Sequence, residues 1–193
     1  MSEPFTVLFV CIGNVCRSPL AERLLRARLD EQLEDLDGSV RVESAGVRAM
    51  AGHPMNEMAA AELERLGLSN DDFRARQLTG QIAGRADLIL VATKDLRSRV
   101  LEDAPAALRR TFTITEFAAL VEGAEADSPQ ALVAGAAQRR SSAKVEDYDV
   151  VDPIGKSAEV HRQAADTIDT SVTTIAEALA SAVRASSGDV RTP

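Results

Sequence analysis

Apolar and polar positions along this chain follow two rhythms. Phe5–Val10 is an almost unbroken apolar run, the pattern of a strand buried on both faces. Leucines at 20, 24, 25, 29, 33 and 36 then recur at helical spacing with Arg and Glu between them. They predict a helix over 20–36, closed by Asp37-Gly38. Ser39–Glu43 alternates Val40 and Val42 with polar neighbours, which predicts a half-exposed strand at a sheet edge. Ser44-Ala45-Gly46 closes that strand into a loop reaching Pro54. Helices are predicted over Met55–Leu66, ended by Gly67, and from a Thr79 cap to Arg85. A second continuous apolar run, Ala86–Ala92, predicts another buried strand, followed by a helix over Leu96–Leu101 with Pro105 beyond its end. Thr111–Ile114 predicts a fourth strand and Glu116–Val121 a short helix. A long final helix is expected from Ser157, with Val160, Ala164, Ile168, Val172, Ile175 and Leu179 on one face.

Strands alternating with helices predict an α/β fold: a single domain with a four-stranded parallel sheet, right-handed crossovers and helices on both faces. The 193 residues, 45 % hydrophobic, are enough for one such core. The domain is expected over 5–183, with a polar tail at 184–193. Residues 123–146 break the rhythm: they are rich in Ala, Glu, Ser, Gln and Arg, with no strong apolar period. That stretch reads as a surface insertion, partly disordered, with a loose helix over Gln130–Gln138 after Pro129.

Chemistry concentrates in Val10-Cys11-Ile12-Gly13-Asn14-Val15-Cys16-Arg17-Ser18-Pro19. The first apolar run ends there, and Ser18 and Pro19 suit the start of a helix, Ser18 as its cap. The segment is therefore a tight strand-to-helix turn, a phosphate-binding loop after the first strand. The amides of Ile12, Gly13, Asn14, Val15, Cys16 and Arg17 would point into one cavity at the positive end of a helix. Arg17 adds a planar fork that matches two phosphate oxygens. A Cys11 thiol facing those donors is favoured as thiolate, the nucleophilic form. In such sheets ligands bind beyond the carboxyl ends of the strands, which is where Cys11 falls.

A net charge of −8 argues against non-specific binding to nucleic acid or an anionic membrane, so any anion site must be local. No apolar run is long enough to span a membrane, and Met1-Ser2-Glu3-Pro4 lacks the basic flank of a signal peptide; a cytoplasmic protein is expected. Two cysteines do not make a secreted disulfide scaffold, and with only His53 and His161 they do not make a zinc site. Cys16 is structural, or it pairs reversibly with Cys11 and shields it from over-oxidation. Arg74 and Arg76 read as a solvated face.

A phosphocysteine reaction also needs an acid for the leaving group. Asp152, in Asp152-Pro153-Ile154-Gly155, is the candidate: Pro153 stiffens the turn, and Glu146, Asp147 and Asp149 favour its protonated form. On the pattern alone, capping an Asp-Pro turn explains it equally well.

The ten-residue loop resembles the phosphate loop of the low-molecular-weight protein tyrosine phosphatases. Glu43-Ser44-Ala45-Gly46, Gly52-His53-Pro54, Arg74-Ala75-Arg76-Gln77-Leu78, Ala86-Asp87-Leu88-Ile89-Leu90 and Asp152-Pro153 follow in that family's order. The resemblance covers about 5–122 and 147–180. It implies Cys11 as nucleophile, Arg17 as phosphate clamp and Asp152 as general acid. It further implies Asn14 and Ser44 as braces of the loop, Ser18 as donor to the thiolate and Cys16 as redox partner. No metal or organic cofactor is implied; the partners are a phosphorylated protein, phosphotyrosine foremost, and inorganic phosphate as product. Ile154 and Gly155 stand where many tyrosine-specific members carry aromatic residues, and the Asp-Pro-x-Gly form is similar to the protein-arginine phosphatase branch. That branch carries threonine where this chain has Val15, which points back to tyrosine. A thiol-dependent arsenate reductase is the alternative of a different class, although no cysteine follows Cys16 to shuttle a disulfide. A non-catalytic oxyanion-binding module is the third reading.

Overall fold

A computed structural model describes residues 3–33, 38–142 and 144–188. At its centre lie four parallel strands, β1 (Phe5–Cys11), β2 (Val40–Gly46), β3 (Leu88–Val91) and β4 (Thr111–Thr113), in the order β2-β1-β3-β4. β1 pairs with β2 from Phe5 opposite Val40 to Cys11 opposite Gly46, and with β3 from Val7 opposite Leu88 to Val10 opposite Val91. Central strands of a covered sheet have no polar face, and Val7–Val10 are all buried.

Seven helices surround the sheet among the described residues: α1 (Arg17–Gln32), α2 (Glu57–Arg65), α3 (Gly80–Arg85), α4 (Lys94–Asp103), α5 (Ile114–Val121), α6 (Pro129–Arg139) and α7 (Ala158–Ser186). The β1–α1–β2 and β3–α4–β4 steps run to opposite edges of the sheet. Right-handed crossovers then put α1 and α4 on opposite faces. The α7 helix packs along α1, α2, α5 and α6, and buries Ala164, Ile168, Val172, Ile175 and Leu179 as their spacing predicts; Val160 is half-buried. The architecture is the expected one.

The differences are local. The α1 helix starts at Arg17, with Cys16 as its N-cap and no side chain capping it, so Ser18 is not the cap the sequence suggests. Gln32 is its last residue, whereas Leu36 and Asp37, expected to close it, lie outside the described residues. β2 extends beyond Glu43, because Ser44, Ala45 and Gly46 pair with Phe9, Val10 and Cys11. Helix α7 reaches Ser186, and the last five positions of the expected tail, 189–193, lie outside the described residues.

Residues 123–146 depart most from expectation. They are not a loose surface insertion, because α6 buries Leu132, Val133 and Ala136 against α5, α7 and the 3-10 helix Pro105–Arg110. Ser128 caps α6 by accepting from the Ala131 amide, with Pro129 in the first turn. The basic run behind it turns inward: Arg140 stacks 4.1 Å from the Phe112 ring centre and reaches Glu116 at 3.1 Å. No helix among the described residues is long and apolar enough to cross a membrane.

Candidate active site

Between the end of β1 and the start of α1 the chain turns through Ile12–Cys16 with its carbonyls facing outward. The oxygens of Cys11, Ile12, Gly13 and Val15 accept from the amides of Val47 (3.1 Å), Arg48 (3.0 Å), Met50 (2.9 Å) and Asn56 (2.8 Å). The amides of residues 12–17 have no acceptor among the described residues. Together with the α1 N-terminus they form a cradle of donors suited to an anion. The cradle sits tightly on the end of β2. A Cβ at Gly46 would stand 2.5 Å from the Ile12 oxygen and 2.9 Å from the Asn14 nitrogen, so only glycine fits there.

One side chain fixes the shape of the turn. Asn14 is fully buried with φ of 53°, a left-handed conformation that asparagine tolerates. Its Nδ2 donates to Ser18 Oγ at 2.9 Å and to Ser44 Oγ at 2.8 Å, and its Oδ1 accepts from the Arg76 amide at 2.8 Å. Ser44 passes its own proton to Glu22 Oε2 at 2.6 Å. Ser18 Oγ accepts from Asn14 and is hydrogen-bonded to Cys11 Sγ, 2.9 Å away. A buried chain of polar groups thus runs from Glu22 to the Cys11 sulfur. Each link fixes the direction of the next.

Both cysteines are free and buried. Burial pushes the Cys16 thiol up to about 12, with Cys11 and Asp152 adding to the effect and Arg17 opposing it. Cys16 is therefore a neutral thiol at ordinary pH.

The guanidinium of Arg17, itself buried, gathers the far side of the site. Its Nη1 donates to the Val150 carbonyl at 3.0 Å and its Nη2 meets Asp152 Oδ2 at 2.8 Å. The Asp152 side chain is 41 % exposed, so its carboxyl faces both the guanidinium and solvent. The expected acidic cluster does not gather on Asp152. Asp149 accepts instead from the Lys94 amide at 2.8 Å, and Asp147 from the Asp149 amide at 2.9 Å. Ile12, Met50, Val151 and Ile154 are among the few large apolar residues left exposed; all four lie on the cradle or on segments that meet it.

Asp152, more than 130 residues further along the chain, thus comes together with the loop that carries Cys11 and Arg17, with Asn14, Ser18 and Ser44 behind them. Several participants escape a reading of the sequence. Arg76 is no simple solvated residue, since Nε donates to the Ser44 carbonyl at 2.6 Å and Nη2 to Glu43 at 3.0 Å. Glu22 looks like the polar face of a helix and Gly46 like a loop glycine. Arg74 donates to its neighbour, the Phe73 carbonyl. Among the described residues no group of three or more His, Cys, Asp or Glu is placed to hold a metal ion.

Known proteins are similar to this chain in sequence and in fold. The family model described as "Low molecular weight phosphotyrosine protein phosphatase" aligns with residues 6–138. The chain belongs to this family. Among low molecular weight phosphatases, the probable protein-tyrosine-phosphatase EpsP of Ralstonia nicotianae is 38 % identical over 112 residues, 58 % of this chain and 72 % of EpsP. The protein-arginine-phosphatase of Geobacillus stearothermophilus is 31 % identical over 176 residues, 91 % of this chain and 97 % of the relative. The crystal structure of the Erwinia amylovora tyrosine phosphatase AmsI superposes with a TM-score of 0.70 at 26 % identity, covering 91 % of this chain and 93 % of AmsI. Family membership therefore includes relatives named for tyrosine and for arginine.

Proposed function

We propose that the protein is a protein-tyrosine phosphatase that works through a phosphocysteine at Cys11, with residues 5–183 as its catalytic unit. One observation carries this reading: the Arg17 guanidinium touches Asp152 at the end of the loop that begins at Cys11, whose amides 12–17 meet no acceptor among the described residues. The amides of residues 12–17 and the Arg17 fork hold the three equatorial oxygens of a phosphate. Cys11 Sγ attacks phosphorus while the bond to the ester oxygen breaks. Asp152 gives its proton to that oxygen, so the alcohol leaves neutral; phenol has a pKa of about 10 and leaves poorly as an anion. Water then attacks phosphorus as the carboxylate of Asp152 takes its proton. The S–P bond breaks and inorganic phosphate departs, with Cys11 restored. The Ser18 hydroxyl donates to the sulfur as it becomes the leaving group, and Asn14 and Ser44 keep the loop in shape.

Cys16 completes the proposal as redox partner. A peroxide oxidises Cys11 to a sulfenic acid, and the Cys16 thiol condenses with it to a disulfide, releasing water. A cytoplasmic setting suits two free thiols, one of which must stay reduced for turnover.

Val15 favours an aryl substrate, because it is buried and has no hydroxyl to orient a guanidinium. The second reading, a protein-arginine phosphatase, draws on the alignment over 91 % of this chain with the Geobacillus stearothermophilus enzyme. Release of inorganic phosphate from a phosphotyrosine peptide and from phosphoarginine, measured side by side, separates the two. Faster phosphotyrosine turnover is expected, and a reversed ratio assigns the chain to the arginine branch. Cys11→Ser should abolish both activities while the protein stays folded. Asp152→Asn should lower kcat/KM for phenyl phosphate more than for p-nitrophenyl phosphate; equal losses would remove Asp152 from the acid role.

A further inference from the structure

The segment carrying Asp152 crosses the carboxyl ends of the strands and is tied down at two places. At one end Arg17 holds Val150 O and Asp152 Oδ2. At the other, three bonds fix residues 148–150 to the sheet. Thr115 Oγ1, just after β4, donates to the Tyr148 carbonyl at 3.0 Å. The Val150 amide donates to the carbonyl of Ala92, just after β3, at 2.8 Å. Between them, Asp149 Oδ1 accepts from the amide of Lys94, the first residue of α4, at 2.8 Å. The Lys94 ammonium also lies 3.8 Å from the centre of the Tyr148 ring. The α4 helix already has its own cap, Thr93, which accepts from Leu96. Asp149 thus adds a carboxylate acceptor to the threonine cap at this positive helix end, and does so from a remote loop.

The two ties do not survive equally when a substrate binds. A phosphate dianion claims the Arg17 fork, which competes with the Arg17–Asp152 contact. The bonds at 148–150 involve no group that meets the phosphate. We propose that Asp149 is a positioning residue for Asp152: its bond to the α4 N-terminus holds the acid over the leaving oxygen while Arg17 is engaged by substrate. The inference rests on the reading of Asp152 as the acid. It gives Asp149 no contact with substrate.

Kinetics on a poor and a good leaving group test this. Asp149→Ala should lower kcat/KM for phenyl phosphate about tenfold and for p-nitrophenyl phosphate less than about twofold, because an acid worth about a hundredfold or more matters most where the leaving group is poor. Asp149→Asn, which keeps an acceptor for the Lys94 amide, should restore most of the loss, and Thr115→Val should shift the ratio in the same direction as Asp149→Ala. In an Asp152→Asn background Asp149→Ala should cost nothing further, because no acid is left to position. Equal losses on both substrates, no loss on either, or an undiminished loss in the Asp152→Asn background would each overturn the proposal. If Asp152→Asn alone shows no leaving-group dependence, the acid assignment falls first and takes the proposal with it.

Discussion

Cys16 and Cys11 are separated by four residues and are both buried, with different neighbours. The Cys11 sulfur meets the Ser18 hydroxyl, whereas burial holds the Cys16 thiol up at about 12. A free thiol in the unfolded chain ionises near 8.5, so between about pH 9 and 12 the unfolded state has lost a proton that the folded state keeps. The unfolded state then binds fewer protons, and stability falls as pH rises. Urea unfolding from pH 8 to 11 should show Cys16 contributing a decline of up to about 1.4 kcal/mol per pH unit. The decline should be shallower by that amount in Cys16→Ser; identical slopes would mean that Cys16 is not shielded from ionisation in the folded protein. At this scale the ten-residue loop was legible because nucleophile, donors and arginine are contiguous. Glu22, Gly46, Arg76 and Asp149 were not, because each acts through a partner at least 22 positions away that no local pattern announces.

Among the elements, strands and the long helix followed their apolar rhythm closely, since burial on one or two faces writes itself into spacing. The exception, α6, has an instructive cause. Its inward face is Leu132, Val133 and Ala136 within a run of Ala, Gln and Arg, so few large apolar residues mark it and the contrast with the outer face is slight. Its arginines also work inward: Arg139 donates to the Leu120 carbonyl at 3.0 Å, and Arg140 loses part of its basicity to burial while it faces Glu116. Leu132→Ala should therefore behave as a core truncation, costing about 2–5 kcal/mol in chemical denaturation. A change under about 0.5 kcal/mol, the range of ordinary surface substitutions, would return α6 to the periphery.

Across the whole molecule the site draws on distant parts of the chain, from Cys11 through Ser44 and Arg76 to Val150 and Asp152, so whatever fills it stabilises the entire fold. Inorganic phosphate that binds only the folded state at a hundred times its Kd adds about 2.7 kcal/mol, or a rise in Tm of about 5–10 °C for a chain of this size. Calorimetry should show that rise in the natural protein and not in Arg17→Ala; an equal rise in both would mean that phosphate binds elsewhere. Arg76, which supports this site, and Arg26, which reaches Glu22 at 2.8 Å, have a bearing on association as well. β2 is an outer strand, and outer strands expose main-chain groups that invite a foreign strand to pair. Along its open side Arg26 takes the Val42 carbonyl at 2.8 Å, Arg76 takes the Ser44 carbonyl, and Gly46 is bonded to Arg76 and Leu78 through both its amide and its oxygen. The border is thus already occupied by the chain's own guanidinium and backbone groups. It offers little to strand addition, and a protein substrate is left to engage the mouth by presenting a side chain.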